Sequence, residues 1–294
     1  MSNYKNIDID ITYKSQKIVE RSEFVYFSDI TDLDPTLKAN LTILNFTLMT
    51  PIQREVIKFI RNGSDVMGCS QTGTGKTIAF LLPIISRMLN EMPSPLTCNP
   101  PSPRLLILIP TRELAEQIFT EARKIVNKTG IVVNKIYGGV PHDEQLEKMY
   151  SGCDILVATP GRLLDFIEKK NLSLKNVKYL IMDEADRMLD MGYQPQLMKI
   201  AFGCDLMPKN LRQNLLFSAT FTEEIKNISK NFMNEDHYFI QTIFDKNPSK
   251  NIKQELYYAT ETDKIDKLHE ILKNTSGSII SEFLIYQFIY SFPL

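Results

Sequence analysis

The sequence predicts an α/β protein: a doubly wound parallel sheet, followed by one further strand and helix. Three observations predict it. From Phe24 to about Thr242, short β-rich runs alternate with longer helical patterns, the order that gives a parallel sheet. Several runs, such as RLLILIP and DILVATP, are near-continuously apolar, as strands become when helices cover both sheet faces. The run ends carry glycine, threonine, arginine and acidic residues, and such sheets bind ligands at the carboxyl ends of their strands.

Residues 1–23 are polar and read as a flexible N-terminal segment. The run DVMGC predicts a strand, and IAFLLPIISRML after it a helix. MPSPLTCNPPSPR, with its five prolines, predicts a surface loop. RLLILIP, VVNKIYG, DILVATP, KYLIMDE, NLLFSAT and HYFIQT predict further strands. RELAEQIFTEARKIV, HDEQLEKMYS, GRLLDFIEKKN and TEEIKNISKNFM predict the helices between them. IFDKNPSKN reads as a linker, and QELYYATETDKIDKLHEIL as a last strand and helix. The boundaries follow as 24–244 for the main domain, 245–277 for linker and second unit, and 278–294 for an apolar tail.

Lys and Arg number 34 against 35 Asp and Glu, a net charge of −1. That excludes nucleic-acid binding by bulk positive charge; any such binding must be local. Cys69, Cys98, Cys153 and Cys204 form no C-x-x-C pair, so neither a disulfide framework nor a zinc site is expected. Cys69 and Cys153 read as core residues. The N-terminus has no apolar run of the secretory kind. The apolar C-terminal stretch is interrupted by Glu282 and Gln287, too short and mixed for a membrane span.

Between DVMGC and its helix stands SQTGTGKT. The absent Cβ atoms of Gly73 and Gly75 let backbone N–H groups turn inward, and the helix N-terminus adds unpaired donors. Lys76 supplies a full charge, and the Thr77 hydroxyl can hold magnesium. The combination fits a nucleoside triphosphate, although Ser70 stands where the usual pattern has glycine. KYLIMDE ends in Asp183-Glu184-Ala185-Asp186. Asp183 would hold magnesium beside Thr77, and Glu184 would orient and deprotonate a water.

With these motifs the chain resembles the first RecA-like domain of a DEAD-box RNA helicase, a P-loop NTPase, from about Phe27 to about Leu272. Seven motifs arrive in family order. The neighbouring text RMLDMGYQPQL and LLFSATFTEEI is most similar to the Vasa and Belle branch. The resemblance implies roles residue by residue. Phe27, Phe46 and Gln53 would meet adenine, Gln53 through an amide that both donates and accepts; many relatives have arginine where Leu48 stands. Ser70, Gln71, Thr72, Gly73, Thr74, Gly75, Lys76 and Thr77 would cradle the phosphates of ATP with Mg2+, the family having alanine at the Ser70 position. Pro110, Thr111 and Arg112, then Gly138 and Gly139, then Thr159, Pro160, Gly161 and Arg162 would touch RNA through sugar and phosphate, without sequence preference. Taken singly these are ordinary helix starts and turns. Ser218 and Thr220 would bond the Asp183 and Asp186 carboxylates and couple the two ligand sites. Glu184, Asp183 and Lys76 would be the catalytic set.

The resemblance ends after Gly277. The sequence has no HRxGRxGR, and so none of the second-domain arginines that would face the γ-phosphate. Such arginines are worth about 10³ to 10⁵ in rate in related systems. The expectation is a helicase truncated within an incomplete second RecA-like domain, weakly active alone. An alternative is a non-catalytic ATP- and RNA-binding module that interferes with a full-length relative; a phosphate-loop DNA helicase is a remote third. RNA-stimulated hydrolysis separates the first two. The branch implies a cytoplasmic location, with the nucleus open, translation or RNP-granule proteins as partners, and no membrane. It also casts GRLLDFIEKK as a wedge that bends RNA.

Overall fold

The computed structural model describes residues 8–18, 21–71, 73–91, 99–243, 257–260 and 262–273. Residues 1–244 and 245–294 are two units. The first opens with β1 (Asp8–Tyr13) and β2 (Gln16–Lys17), then α1 (Pro35–Ile43) and α2 (Pro51–Arg61). There follow β3 (Asp65–Cys69), α3 (Lys76–Glu91), β4 (Leu105–Leu108), α4 (Arg112–Ile125), β5 (Val133–Ile136) and α5 (His142–Tyr150). Next come β6 (Ile155–Ala158), α6 (Pro160–Glu168), β7 (Tyr179–Met182), α7 (Ala185–Asp190) and α8 (Gln194–Gly203). The unit closes with β8 (Gln213–Ser218), α9 (Glu223–Phe232) and β9 (His237–Ile243). In the second unit, the described helix is α10 (Lys264–Lys273).

The sheet runs β2-β1-β9-β3-β8-β7-β4-β6-β5. Strands β3 to β9 are parallel to their neighbours among themselves, and β1 and β2 are antiparallel at one edge. Alternate side chains of each strand feed two cores. Val66, Ile107, Ile181 and Leu215 pack under α1 to α4; Met67, Leu108, Met182 and Leu216 pack under α5 to α9. Burial on both faces explains the unbroken apolar runs. It leaves only the strand ends to carry polar chemistry.

The N-terminal segment departs from expectation. Residues 8–17 form an edge hairpin on β9, with Ile9 and Ile11 buried, rather than a flexible segment. The alternation IDITY puts Ile9, Ile11 and Tyr13 on one face, and Tyr13 stacks on Tyr238. The end of the proline-rich segment is also not surface loop. Pro101, Ser102, Pro103 and Arg104 are buried, and Arg104 meets the Asp154 carboxylate at 2.9 Å. Asp154 also accepts from Val132 N at 2.9 Å, so this buried pair ties down the starts of β4, β5 and β6. The strand expected in QELYYAT is not formed at residues 257–260, and its other residues lie outside the described ones. Cys69 and Cys153 are buried free thiols, and burial pushes the Cys153 thiol up to about 12. Cys98, the linker and the apolar tail lie outside the described residues. Among the described residues, no helix is long and apolar enough to cross a membrane.

Candidate nucleotide and nucleic-acid site

The polar strand ends converge because β3, β8 and β7 are neighbours. Cys69 pairs with Ser218, and the next residue, Ser70, donates its N–H to Ser218 O at 3.1 Å. The loop from Ser70 to Gly75 then turns into α3, with φ of +79° at Gly73 and +85° at Gly75. Gly75 needs its missing side chain twice over. A Cβ there would lie 2.3 Å from Gln53 Nε2, at a φ that L-residues resist. Thr74 donates to Gln71 O at 2.9 Å and its hydroxyl meets Ser70 Oγ, which closes the loop on itself. Lys76 is buried with Nζ donating to Ser70 O at 2.7 Å. Thr77, on the first turn of α3, is half-buried. Thr72 lies outside the described residues.

Gln53 is built into this loop. It is the third residue of α2, and its Oε1 accepts from Thr50 N at 2.8 Å, the reach-back of a capping box. Its Nε2 donates to Gly75 O at 3.0 Å, while Thr50 Oγ1 donates to Thr74 O at 2.8 Å. One N–H and one lone pair of the amide remain for a base edge. The aromatic pair is unequal. Phe27 is 3% exposed and meets Phe46 edge-on at 5.4 Å, so Phe27 supports and only Phe46 offers accessible ring surface. Phe46 is aimed by the end of α1. Asn45 takes φ +58°, Phe46 N donates to Leu41 O at 2.9 Å and Asn45 N to Thr42 O at 3.0 Å, a Schellman ending with asparagine in the left-handed position.

Asp183 follows β7 and is 4% exposed. Burial pushes its carboxyl up to about 6, although the Lys76 charge and the Glu184 N–H, at 3.0 Å from Oδ1, pull it down. Lys76 and Asp183 therefore share one electrostatic environment. Glu184 sits at φ +51°, ψ 50°, a left-handed turn that costs a non-glycine about 1 kcal/mol and leads the chain from β7 into α7. Its carboxylate accepts from Arg187 at 3.3 Å. Asp186 carries the coupling contacts. Its Oδ2 accepts from Ala219 N at 3.1 Å, Thr220 N at 3.0 Å and Thr220 Oγ1 at 3.1 Å. Ser218 Oγ accepts from Asp186 N at 3.3 Å. Two details differ from the sequence expectation: Asp183 takes no part, and Ser218 meets a backbone N–H rather than a carboxylate. The register explains it. Met182 pairs with Leu216, so β8 runs on to Ser218 beneath the turn that carries Asp186.

The residues fit the groups their pattern implies. The Asp183 carboxylate and the Thr77 hydroxyl are hard oxygen donors. Two such donors suit magnesium, which takes one or two protein oxygens and completes its shell with phosphate and water. The loop glycines at positive φ and the helix N-terminus of α3 suit phosphate oxygens.

A second group lies at the ends of β4, β5 and β6. Pro110 is buried; Thr111 caps α4, accepting from Leu114 N at 3.3 Å. Arg112 is exposed, its guanidinium 5.1 Å from the Tyr137 ring centroid. Gly138 and Gly139 are exposed, Gly139 at φ +80°, with no atom near where a Cβ would stand. Thr159 stands at the N-cap position of α6 without a side-chain capping bond, Pro160 is its first residue, and Gly161 is open to solvent. Arg162 points inward. It donates to Tyr137 O at 3.0 Å, Val140 O at 2.6 Å and Asp165 Oδ2 at 3.3 Å, so most of its fork braces the Gly138-Gly139 loop. Gly138, Thr159, Gly161, Arg162, Asp165 and Tyr193 line a cavity of about 330 Å³. Tyr193 is the residue the sequence reading missed. Its signal was the Gly192-Tyr193 pair after α7: Gly192 at φ +77° lets Tyr193 N reach Met188 O at 3.0 Å, which aims the ring at the cavity.

A parallel sheet with a glycine-rich phosphate loop after β3 and an acidic end on β7, the two strands that flank β8, defines a RecA-like nucleotide-binding domain. The sequence matches the DEAD/DEAH box helicase family over residues 50–228, more than half of its length. The fold is similar to that of the yeast DEAD-box splicing factor Prp28, with 32% identity and a TM-score of 0.73 over 90% of this chain and 61% of that one. It is also similar to a DEAD box protein from the hyperthermophile Methanococcus jannaschii: 34% identity and TM-score 0.65, over 85% of this chain and 64% of that one. For the RNA-helicase Prp28 from Chaetomium thermophilum bound to ADP, identity is 34% and TM-score 0.67, over 90% of this chain and 60% of that one. This chain thus spans less than two thirds of each. It belongs to the DEAD-box helicase family.

Proposed function

We propose that this domain binds ATP with magnesium at the Ser70–Thr77 loop and holds single-stranded RNA along the ends of β4, β5 and β6, as the first half of an ATP-dependent RNA helicase site. The observation that carries the reading is the convergence of the Ser70–Thr77 loop after β3 and the acidic end of β7 at the same edge of the sheet, on either side of β8. Lys76 would neutralise phosphate charge, Asp183 and Thr77 would hold magnesium, and Phe46 and Gln53 would select adenine. Glu184, at its left-handed turn, would orient the attacking water, and Asp186 would carry the state of the nucleotide loop to Ser218–Thr220. The nucleotide, when bound, supplies the phosphoanhydride to be cleaved. The helix α6 would act as the wedge against bent RNA. The text RMLDMGYQPQL supports the Vasa and Belle branch, and with it a cytoplasmic setting. Because the 294 residues include no HRxGRxGR arginines, turnover by this chain alone is expected far below the rate of about one per second ordinary for enzymes.

Fluorescent ADP titration with magnesium tests the reading. Wild type should bind, and Lys76→Ala should lose binding at least tenfold, since one charged contact is worth more than about 1.4 kcal/mol. Equal affinity for the two would refute it. RNA-stimulated phosphate release near one per second by the 294-residue chain would refute the claim of weak turnover.

A further inference from the structure

We propose that the groove between α1 and α4 is a docking site for an acidic, amphipathic segment of a partner protein. The groove has a volume of about 400 Å³. Its apolar lining is Ile43, 72% exposed at the last position of α1, with Leu44 and Phe119 half-buried beside it. Its rim carries Arg123 and Lys124. The groove is rigid: Asn40, buried on α1, donates to Ile125 O at 2.8 Å and Asn127 O at 2.7 Å, locking α1 to the end of α4. A preformed concave site with an exposed aliphatic anchor is the setting in which a single apolar side chain contributes most to binding.

Charge chooses the occupant. The exposed Arg123 guanidinium lies 5.6 Å from the Phe119 ring centroid, and the Lys135 ammonium reaches the same ring at 4.2 Å. An apolar side chain seated on Ile43 and Phe119 would bring its neighbours against these cations, so carboxylates flanking the anchor fit and lysines do not. Nucleic acid fits less well, because the floor is apolar; Lys124 and Lys135 pair with Glu121 and Glu116, which leaves Arg123 to draw a flanking carboxylate. A second copy across a twofold axis would set the same cations against each other. The site is also remote from the RNA side. Helix α4 spans 14 residues from its Thr111 cap, so its far end is about 20 Å from the RNA-side loops.

The test titrates the full chain, isotope-labelled for amide NMR, with a helical peptide of about 16 residues. The peptide carries leucine at i, i+4 and i+7 and glutamate elsewhere; a lysine version is the control. Expected are shifts confined to residues 40–44 and 119–127, no binding of the lysine version, and at least tenfold weaker binding by Ile43→Asp and by Arg123→Glu. Both side chains are exposed, so both variants keep the fold. Equal binding of the two peptides, shifts elsewhere, or unchanged affinity in Ile43→Asp would overturn the proposal. So would displacement of the peptide by oligouridylate, or self-association of the chain that Ile43→Asp abolishes.

Discussion

Asp183→Asn is expected to stabilise the folded chain at neutral pH. Burial raises the Asp183 carboxyl from 3.8 to about 6, and that value already includes the attraction of Lys76 and the Glu184 N–H. Each unit is 1.36 kcal/mol, so ionising Asp183 in the folded state costs about 3 kcal/mol. The sign follows from linkage. Between pH 3.8 and 6 the folded state keeps the proton that the unfolded state has lost, so wild-type stability falls as pH rises through this window. Asparagine has nearly the same shape and still accepts from Glu184 N–H, but never ionises. The variant should match wild type near pH 4 and exceed it by up to about 3 kcal/mol at pH 7.5, roughly 6–12 °C in Tm for a domain of this size. Urea unfolding of both proteins at pH 4, 5 and 7.5 measures it, with the difference between them cancelling other titrating groups. Fluorescent ADP binding with magnesium should be lost in the same variant, so that stability and ligand affinity move in opposite directions. A variant less stable than wild type at pH 7.5, or a difference that does not change between pH 4 and 7.5, would refute the assignment of Asp183 as a carboxylate whose ionisation burial opposes.

Two further substitutions test the loops. Gly75→Ala combines a left-handed φ with a Cβ thrust onto Gln53 Nε2, so it should weaken fluorescent ADP binding well beyond Gly73→Ala, which bears the φ penalty alone, about 1 kcal/mol; equal losses would show that Gln53 does not brace the loop. Arg162→Ala removes the bonds to Tyr137 O and Val140 O and should destabilise by about 2 kcal/mol and speed amide exchange across residues 137–141. Lysine should not rescue it, lacking the planar fork; unchanged exchange would assign Arg162 to ligand contact instead.

Much of this was legible in the sequence because both sheet faces are buried. Continuous apolar runs marked six of the seven parallel strands' cores without ambiguity, and polar residues could stand only at strand ends. The phosphate loop and the acidic strand end were legible because their chemistry is local. What escaped depends on long-range packing. The IDITY hairpin alternates correctly, but charged neighbours masked a strand whose partner, β9, lies more than two hundred residues away. Arg104 reads as a loop residue until Asp154, fifty positions on, supplies its counter-charge. Arg162 reads as a phosphate contact, yet its donors turn to carbonyls of a loop that only the fold brings near.

The same inward turn resolves how a chain of net charge −1 could hold RNA, and it predicts how that binding responds to salt. Lys76 is committed to Ser70 O, Arg162 largely to loop carbonyls, and Lys135 to Glu116. Along the ends of β4, β5 and β6, Arg112 is the exposed cation, with Arg162 contributing what its bracing leaves. One or two phosphates would then be neutralised by side chains, and helix N-termini and glycine backbone would hold the rest. For single strands the slope of log K against log salt is about −0.7 per neutralised phosphate, so a slope of about −0.7 to −1.4 is expected. Anisotropy titrations of labelled oligouridylate across a range of potassium chloride concentrations read it directly. A slope steeper than about −3 would mean that several surface lysines grip the strand, and the RNA would then lie on a different face from the one bounded by Thr111, Gly138 and Gly161.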